Sequence, residues 1–217
     1  MKILRKNSVV GLASVVLFLV AACEAKAATQ TFTDVYPPGT TEWSHNFVLT
    51  QFNPALGSLQ SVYIAASESV NLTGTVQNTS TGPQSFTFRA GSLLTVTLPG
   101  TLGFLQPSPL ALAQAYNLPA GGSAPYGPVN ASDSVNYTYT LPADMAWFIG
   151  TGTFTLPAFT QTQELIAGGG GNIIAQLSTI AGADVLVQYT YIPVPEPGSL
   201  ALLGLGGAAL LLLRRRR

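Results

Sequence analysis

Val185-Leu186-Val187-Gln188-Tyr189-Thr190-Tyr191 alternates its side chains with a period of two: Val, Val, Tyr and Tyr fall on one face, and Leu, Gln and Thr on the other. An extended chain points successive side chains to opposite faces, so this stretch reads as a β-strand with one face in a core. The same alternation appears in Asn136-Tyr137-Thr138-Tyr139-Thr140-Leu141, Gly152-Thr153-Phe154-Thr155-Leu156, Val70-Asn71-Leu72-Thr73-Gly74-Thr75-Val76 and Ser85-Phe86-Thr87-Phe88. Phe47-Val48-Leu49 and Leu59-Gln60-Ser61-Val62-Tyr63-Ile64 add two strands around the turn-rich Asn53-Pro54-Ala55-Leu56-Gly57. Threonine opposite aromatic or β-branched residues suits half-buried antiparallel strands. About eight strands with no βαβ alternation predict an all-β fold, an antiparallel β-sandwich of jelly-roll or immunoglobulin-like type.

Two regions break the pattern. Pro99 to Val129 carries six prolines and reads as a long connection with a short helix around Leu110 to Tyr116. Glu164 to Asp184 reads as irregular around Gly168 to Gly171.

Charge is distributed unevenly along the chain. Of nine basic residues, Arg89 is the one base between Ala28 and Pro193, where seven acids lie: Asp34, Glu42, Glu68, Asp133, Asp144, Glu164 and Asp184. Such a body offers no basic surface, which excludes nucleic-acid binding. The other bases mark the termini. Lys2, Arg5 and Lys6 precede the apolar Val9 to Ala22 and an A-x-A site, Ala25-Lys26-Ala27, the pattern of a cleaved export signal over residues 1–27. A competing reading is that Val20-Ala21-Ala22-Cys23 resembles a bacterial lipobox, with Cys23 lipidated at the mature N-terminus. Under the first reading the mature chain has no cysteine, hence no disulfide or thiol chemistry. Residues 28–193 form one extracytoplasmic domain.

Residues 194–217 differ in kind. Val194-Pro195-Glu196-Pro197 leads into Ser199 to Leu213, fifteen uncharged residues, and then Arg214, Arg215, Arg216 and Arg217. As a helix, at about 1.5 Å per residue, the apolar run is marginally long enough to span a bilayer if the arginines snorkel. The arginines then act as a stop-transfer cluster held on the cytoplasmic side. These three parts, in this order, closely resemble the PEP-CTERM sorting signal of Gram-negative bacteria. That resemblance implies an exported precursor, anchored transiently in the inner membrane and cut at the Pro-Glu-Pro by an exosortase. It further implies a cell-surface or extracellular-matrix destination, with exopolysaccharide as a possible partner. Less sharply, Gln51 to Val62, Asn78-Thr79-Ser80, Phe148 to Thr153 and Val187 to Tyr191 resemble the choice-of-anchor E domain, for which the resemblance supplies no catalytic residue.

The residues give little catalytic chemistry of their own. The mature chain has one histidine, His45, and no G-x-S-x-G elbow, so a Ser-His-Asp triad is not expected. One His without Cys is equally poor for zinc. Asp133, Asp144 and Asp184, at inferred loop or strand ends, are candidate calcium ligands without a loop motif, and no metal or cofactor is expected. A glycosidase would need paired acids on facing strands, and nothing in the sequence selects two. Trp43, Trp147, Tyr126 and Tyr116 could stack on sugars or fill the core. The sequence therefore predicts a non-catalytic surface or matrix protein, with polysaccharide binding or weak glycoside hydrolysis as the alternative.

Overall fold

Period-two alternation lets an extended chain bury one face while the other stays wet, and nine strands among the described residues are built this way. The computed structural model describes residues 26–194 and four isolated positions of the tail, Gly204, Gly206, Gly207 and Arg214. Two antiparallel sheets form. One holds β1 (Ala28–Thr40), β9 (Ile173–Pro193), β3 (Gly57–Asn78) and β7 (Ser123–Tyr139), in that order. The other runs β2 (Ser44–Thr50), β8 (Thr153–Gly168), β4 (Gln84–Thr97) and β5 (Phe104–Leu105), with β6 (Leu110–Leu118) also paired to β4. Strand β9 pairs with β3 over its whole length and with β1 from Ile180 to Tyr191, and so sits inside its sheet.

The faces fall as the alternation demands. Val185, Val187 and Tyr189 are fully buried, while Leu186, Gln188 and Thr190 lie on the outer face. Tyr189 also donates its hydroxyl to the carbonyl of Thr50 at 2.8 Å, which satisfies its buried polar end. The inward sets of both sheets merge into two apolar clusters. The larger contains Phe47, Ile64, Val96, Leu156 and Val187, and the smaller contains Leu72, Phe86, Phe88, Tyr116 and Tyr126.

Several sequence expectations are corrected. The prolines between Pro99 and Val129 do not make a structureless connection, and Leu110 to Tyr116 is strand rather than helix. Residues 104–118 run along the free edge of β4, where the Pro107 and Pro109 carbonyls accept from the N–H groups of Leu94 and Ser92 at 3.0 and 3.2 Å. An edge strand tolerates proline because its outward side has no ladder partner to lose. Glu164 to Asp184 is likewise strand except for a 3-10 turn, Gly169–Gly171, and Asn172. Residues 57–78 form one strand, where two had been expected, and β1 precedes the first expected strand. Asn78 is fully buried at the far end of β3; its Nδ2 donates to the carbonyls of Gly82 and Pro119 at 2.8 and 2.9 Å, tying two turns together.

The two faces of β9 give a direct test. Val187→Ala should lower unfolding free energy by about 2 kcal/mol through lost burial and the cavity left behind. Gln188→Lys, one residue along, should change it by less than about 0.5 kcal/mol. Denaturant titration of the two variants checks the register, which equal losses would contradict.

Candidate functional site

Continuing the inward phase of β3 from Val62 through Ile64 and Ala66 to Val70 and Leu72 places Glu68 on the buried face, and the structure puts it there at 1% exposure. It lies between the two apolar clusters, in a polar layer with the buried Ser92, Thr160 and Thr179. The Ser92 hydroxyl donates to Glu68 Oε1 at 2.6 Å, whereas Oε2 has no hydrogen-bond partner among the described residues. Burial pushes the Glu68 carboxyl up to about 7; the hydrogen bonds of Ser92 and the Leu94 backbone oppose this, and the nearby Asp133 charge adds to it. A burial-raised carboxyl is the usual mark of a catalytic acid. Here it is sealed inside the sandwich, and Asp133, its register partner on β7, accepts from the Ser108 N–H at 2.8 Å. The two acids are thus in different surroundings, Glu68 buried inside the sandwich and Asp133 exposed on the edge strand β7. Sequence reading missed Glu68 because β3 was divided in two just where Glu68 lies.

The aspartates serve the seams of the sandwich. Asp34 Oδ2 on β1 accepts from the N–H of Val48 on β2 at 2.7 Å, and Asp133 makes the matching bridge from β7 to the segment beside β4. Each closes one open edge by crossing from one sheet to the other. The three calcium candidates are not brought together. Asp133 lies mid-strand in β7, Asp144 falls in the short helix α1 (Pro142–Met145), and Asp184 sits on the outer face of β9 opposite Ser67. Among the described residues no group of three His, Cys, Asp or Glu side chains could hold a metal ion. His45 packs between Tyr36, tilted against it, and Phe47, edge-on to it, with ring centroids at 4.9 and 4.8 Å.

Three of the four candidate sugar platforms belong to the core. Trp43 is buried and donates its Nε1–H to the Ala181 carbonyl at 3.1 Å. Tyr126 donates to the Gln176 carbonyl at 3.1 Å, with its hydroxyl pushed up to about 12 by burial. Tyr116 stacks on Phe86. Trp147 alone of the four stays half-exposed. On the outer face of the first sheet a shallow trough has two lobes, of about 440 and 260 Å³, sharing Pro38, Ser69 and Ser132. Asn71 and Asn130 line one lobe, joined by a 2.7 Å hydrogen bond, and Asp184 lines the other.

The tail begins where the sandwich stops. Val194 is exposed and donates its N–H to the Leu56 carbonyl at 3.1 Å. Pro195, Glu196 and Pro197, the apolar run apart from three glycines, Arg215 to Arg217 and the export signal before Lys26 lie outside the described residues. Among the described residues no helix is long and apolar enough to cross a membrane.

Fold and site together define an antiparallel β-sandwich followed by a distinct C-terminal segment. That segment is a PEP-CTERM protein-sorting motif, matched over residues 193–217. The motif marks the chain as an exported, membrane-anchored precursor. No curated protein matches the chain, and the likeness of the body to the choice-of-anchor E domain finds no support. Among solved structures, particles derived from infectious bursal virus align at 14% identity over 87% of this chain and 48% of that one, with a TM-score of 0.16. The infectious bursal disease virus Gt strain aligns at 14% over 79% and 43%, with a TM-score of 0.14. This chain thus spans under half the length of both, and scores of this size do not define a shared fold.

Glu68 sets a pH dependence. Its carboxyl rises from 4.5 to about 7 on folding, so the folded state holds the proton more tightly than the unfolded chain. Stability should be highest below about pH 4.5 and fall as pH rises to about 7, as far as this group is concerned. Glu68→Gln should flatten that slope, as read from thermal unfolding at a series of pH values. An unchanged slope in the variant would remove Glu68 as its source.

Proposed function

We propose that this protein is a non-catalytic component of the cell surface or extracellular matrix, exported as a precursor and released from the membrane by an exosortase. One observation carries the reading: β9 ends at Pro193, and the sorting motif match begins at that same residue. A cut at Pro195 to Pro197 therefore removes the tail without taking a residue from any strand. The other end agrees, since β1 starts at Ala28, immediately after the A-x-A site. Strand order also favours the jelly roll over the immunoglobulin-like arrangement. Sheets ordered 1-9-3-7 and 2-8-4-5, with β6 also paired to β4, put the first strand beside the last and nest two Greek keys.

The parts of the tail divide the work. Pro195 and Pro197 lack a backbone N–H and have fixed φ, which keeps the segment extended for a peptide-cutting enzyme. The apolar run holds that segment at the outer boundary of the inner membrane, and the arginines resist translocation, each costing roughly 2.5–3.5 kcal/mol at a bilayer centre.

Intact-mass measurement in the native host tests this. Mature protein should lack Arg214 to Arg217, and Glu196→Ala should accumulate as membrane-bound precursor with the full tail. Normal release of the Glu196 variant would reduce the tail to an ordinary anchor.

A second reading is that the body binds the host's exopolysaccharide. It is favoured by the outer trough, where serine and asparagine side chains of β3 and β7 converge, with Asp184 of β9 at the second lobe. If so, Asn71→Ala should weaken binding to the neutral host polysaccharide roughly five-fold, the net worth of about one hydrogen bond. Affinity electrophoresis measures this, and no retardation of the wild-type protein would rule the reading out.

A further inference from the structure

The chain leaves the sandwich at one end, and that end is built differently from the other. Val194 is fixed to Leu56 by its 3.1 Å hydrogen bond, and Leu56 closes the 3-10 turn Pro54–Leu56, which Asn53 caps. Phe52 is clasped to the next connection: its N–H donates to the Phe148 carbonyl at 2.8 Å, and its own carbonyl accepts from Gly150 at 2.9 Å. That connection also carries Trp147, whose indole packs against Gly100 in the β4–β5 turn. A Cβ added there would stand 2.3 Å from the indole, and the φ of +61° also favours glycine. The loops 51–56, 98–103 and 140–152 thus form one continuous end surface around the chain exit.

This surface is apolar where loops are ordinarily polar. Leu141 is 64%, Trp147 48% and Val194 60% exposed, and Leu56, Ile149 and Ile192 are exposed beside them. The three loops contain one ionisable residue, Asp144, and Lys26, near this end through Ala28 and its partner Tyr191, belongs to the export signal and leaves with it. At the opposite end, the turns 79–83, 119–122 and 169–172 hold no aromatic or branched aliphatic side chain. A monomer that exposes grouped apolar side chains on one end has a surface for them to meet.

The sequence determines which surface. Four residues, 195–198, separate Val194 from the apolar run at Ser199, and at about 3.3–3.6 Å per residue they reach at most roughly 14 Å. We propose that, in the precursor, the end of the sandwich carrying Leu56, Leu141, Trp147, Ile149, Ile192 and Val194 docks on the outer leaflet of the membrane that holds the tail. This rests on the tail being a membrane segment, as proposed above. The tether makes the contact intramolecular, so individually weak insertions suffice. Tryptophan is the residue that favours the headgroup boundary. With Asp144 as the one charged side chain of the three loops, the recognised feature is the apolar interface rather than anionic headgroups, so docking should persist in uncharged lipid. Docking then fixes how far the Pro-Glu-Pro segment stands above the bilayer.

The test uses the export-processed precursor, residues 28–217, which keeps the tail but not the export signal, in phosphatidylcholine vesicles with and without bromine on the acyl chains near the headgroup. The emission of Trp147 is taken as the difference between the wild type and Trp147→Phe. That difference should fall about two-fold with brominated lipid, as for an indole at the headgroup boundary. The remaining emission in Trp147→Phe comes from the buried Trp43, which should stay unquenched and so report an intact sandwich. Alkaline extraction of the same vesicles reads the tail separately. A chain that resists extraction while its Trp147 emission is unchanged by bromine overturns the docking and leaves the tail reading standing. A chain that alkali extracts overturns the tail reading, and the docking falls with it.

Discussion

From Ile173 to Pro193 the last strand satisfies its backbone against β3 along one edge, and from Ile180 to Tyr191 against β1 along the other. Such a strand cannot slip by one residue without turning Val185, Val187 and Tyr189 out of the core. Its register therefore sets those of β1 and β3, and β3 in turn sets β7. The second sheet is held to the first by interdigitating inward side chains and, at both open seams, by one aspartate: Asp34 reaching Val48 and Asp133 reaching Ser108. In a body this poor in charge, acids at the seams do a structural job that the sequence pattern alone does not reveal.

The polar layer around Glu68 interrupts the core. A carboxyl with one satisfied oxygen opposes folding whenever it is ionised, while the apolar clusters on either side supply the burial that offsets it. The layer divides a long sandwich into two packed halves. The half nearer the chain exit contains β1, β2 and the apolar loops; the other contains β6 and ends in glycine-rich turns.

Legibility from sequence tracked how local the signal was. The strands around Tyr189, Phe154 and Phe86 were readable because burial there follows a strict period of two, whereas around Tyr137, on the edge strand β7, the alternation is in the sequence but Tyr137 itself is exposed. The segment 104–118 was not, because proline means loop unless one knows that the strand lies at an edge, and position in a sheet is a tertiary fact. Strand β1 carried Thr29, Thr31 and Thr33 against Phe32 and Tyr36, a signal hidden by its closeness to the export signal. Glu68 was hidden for a related reason: an acid in an apolar phase looks like a break between strands until both halves are known to be one. The sorting tail was the easiest part to read, since its chemistry depends on the linear order of motif, apolar run and arginines. Tryptophan exposure could not be read at all; Trp43 and Trp147 differ in burial only through tertiary packing.

The account rests on the sandwich being complete at Val194, with the tail attached to it but not part of it. Amide hydrogen exchange on the membrane-bound precursor and on protein released by the native host tests this most directly. The amides of Ile180 to Tyr189 in β9 and of Val62 to Val70 in β3 should be the slowest to exchange, and equally slow in both forms. Faster exchange across β9 in the released protein would show that the fold depends on its tail, and would contradict the separation of domain and sorting signal.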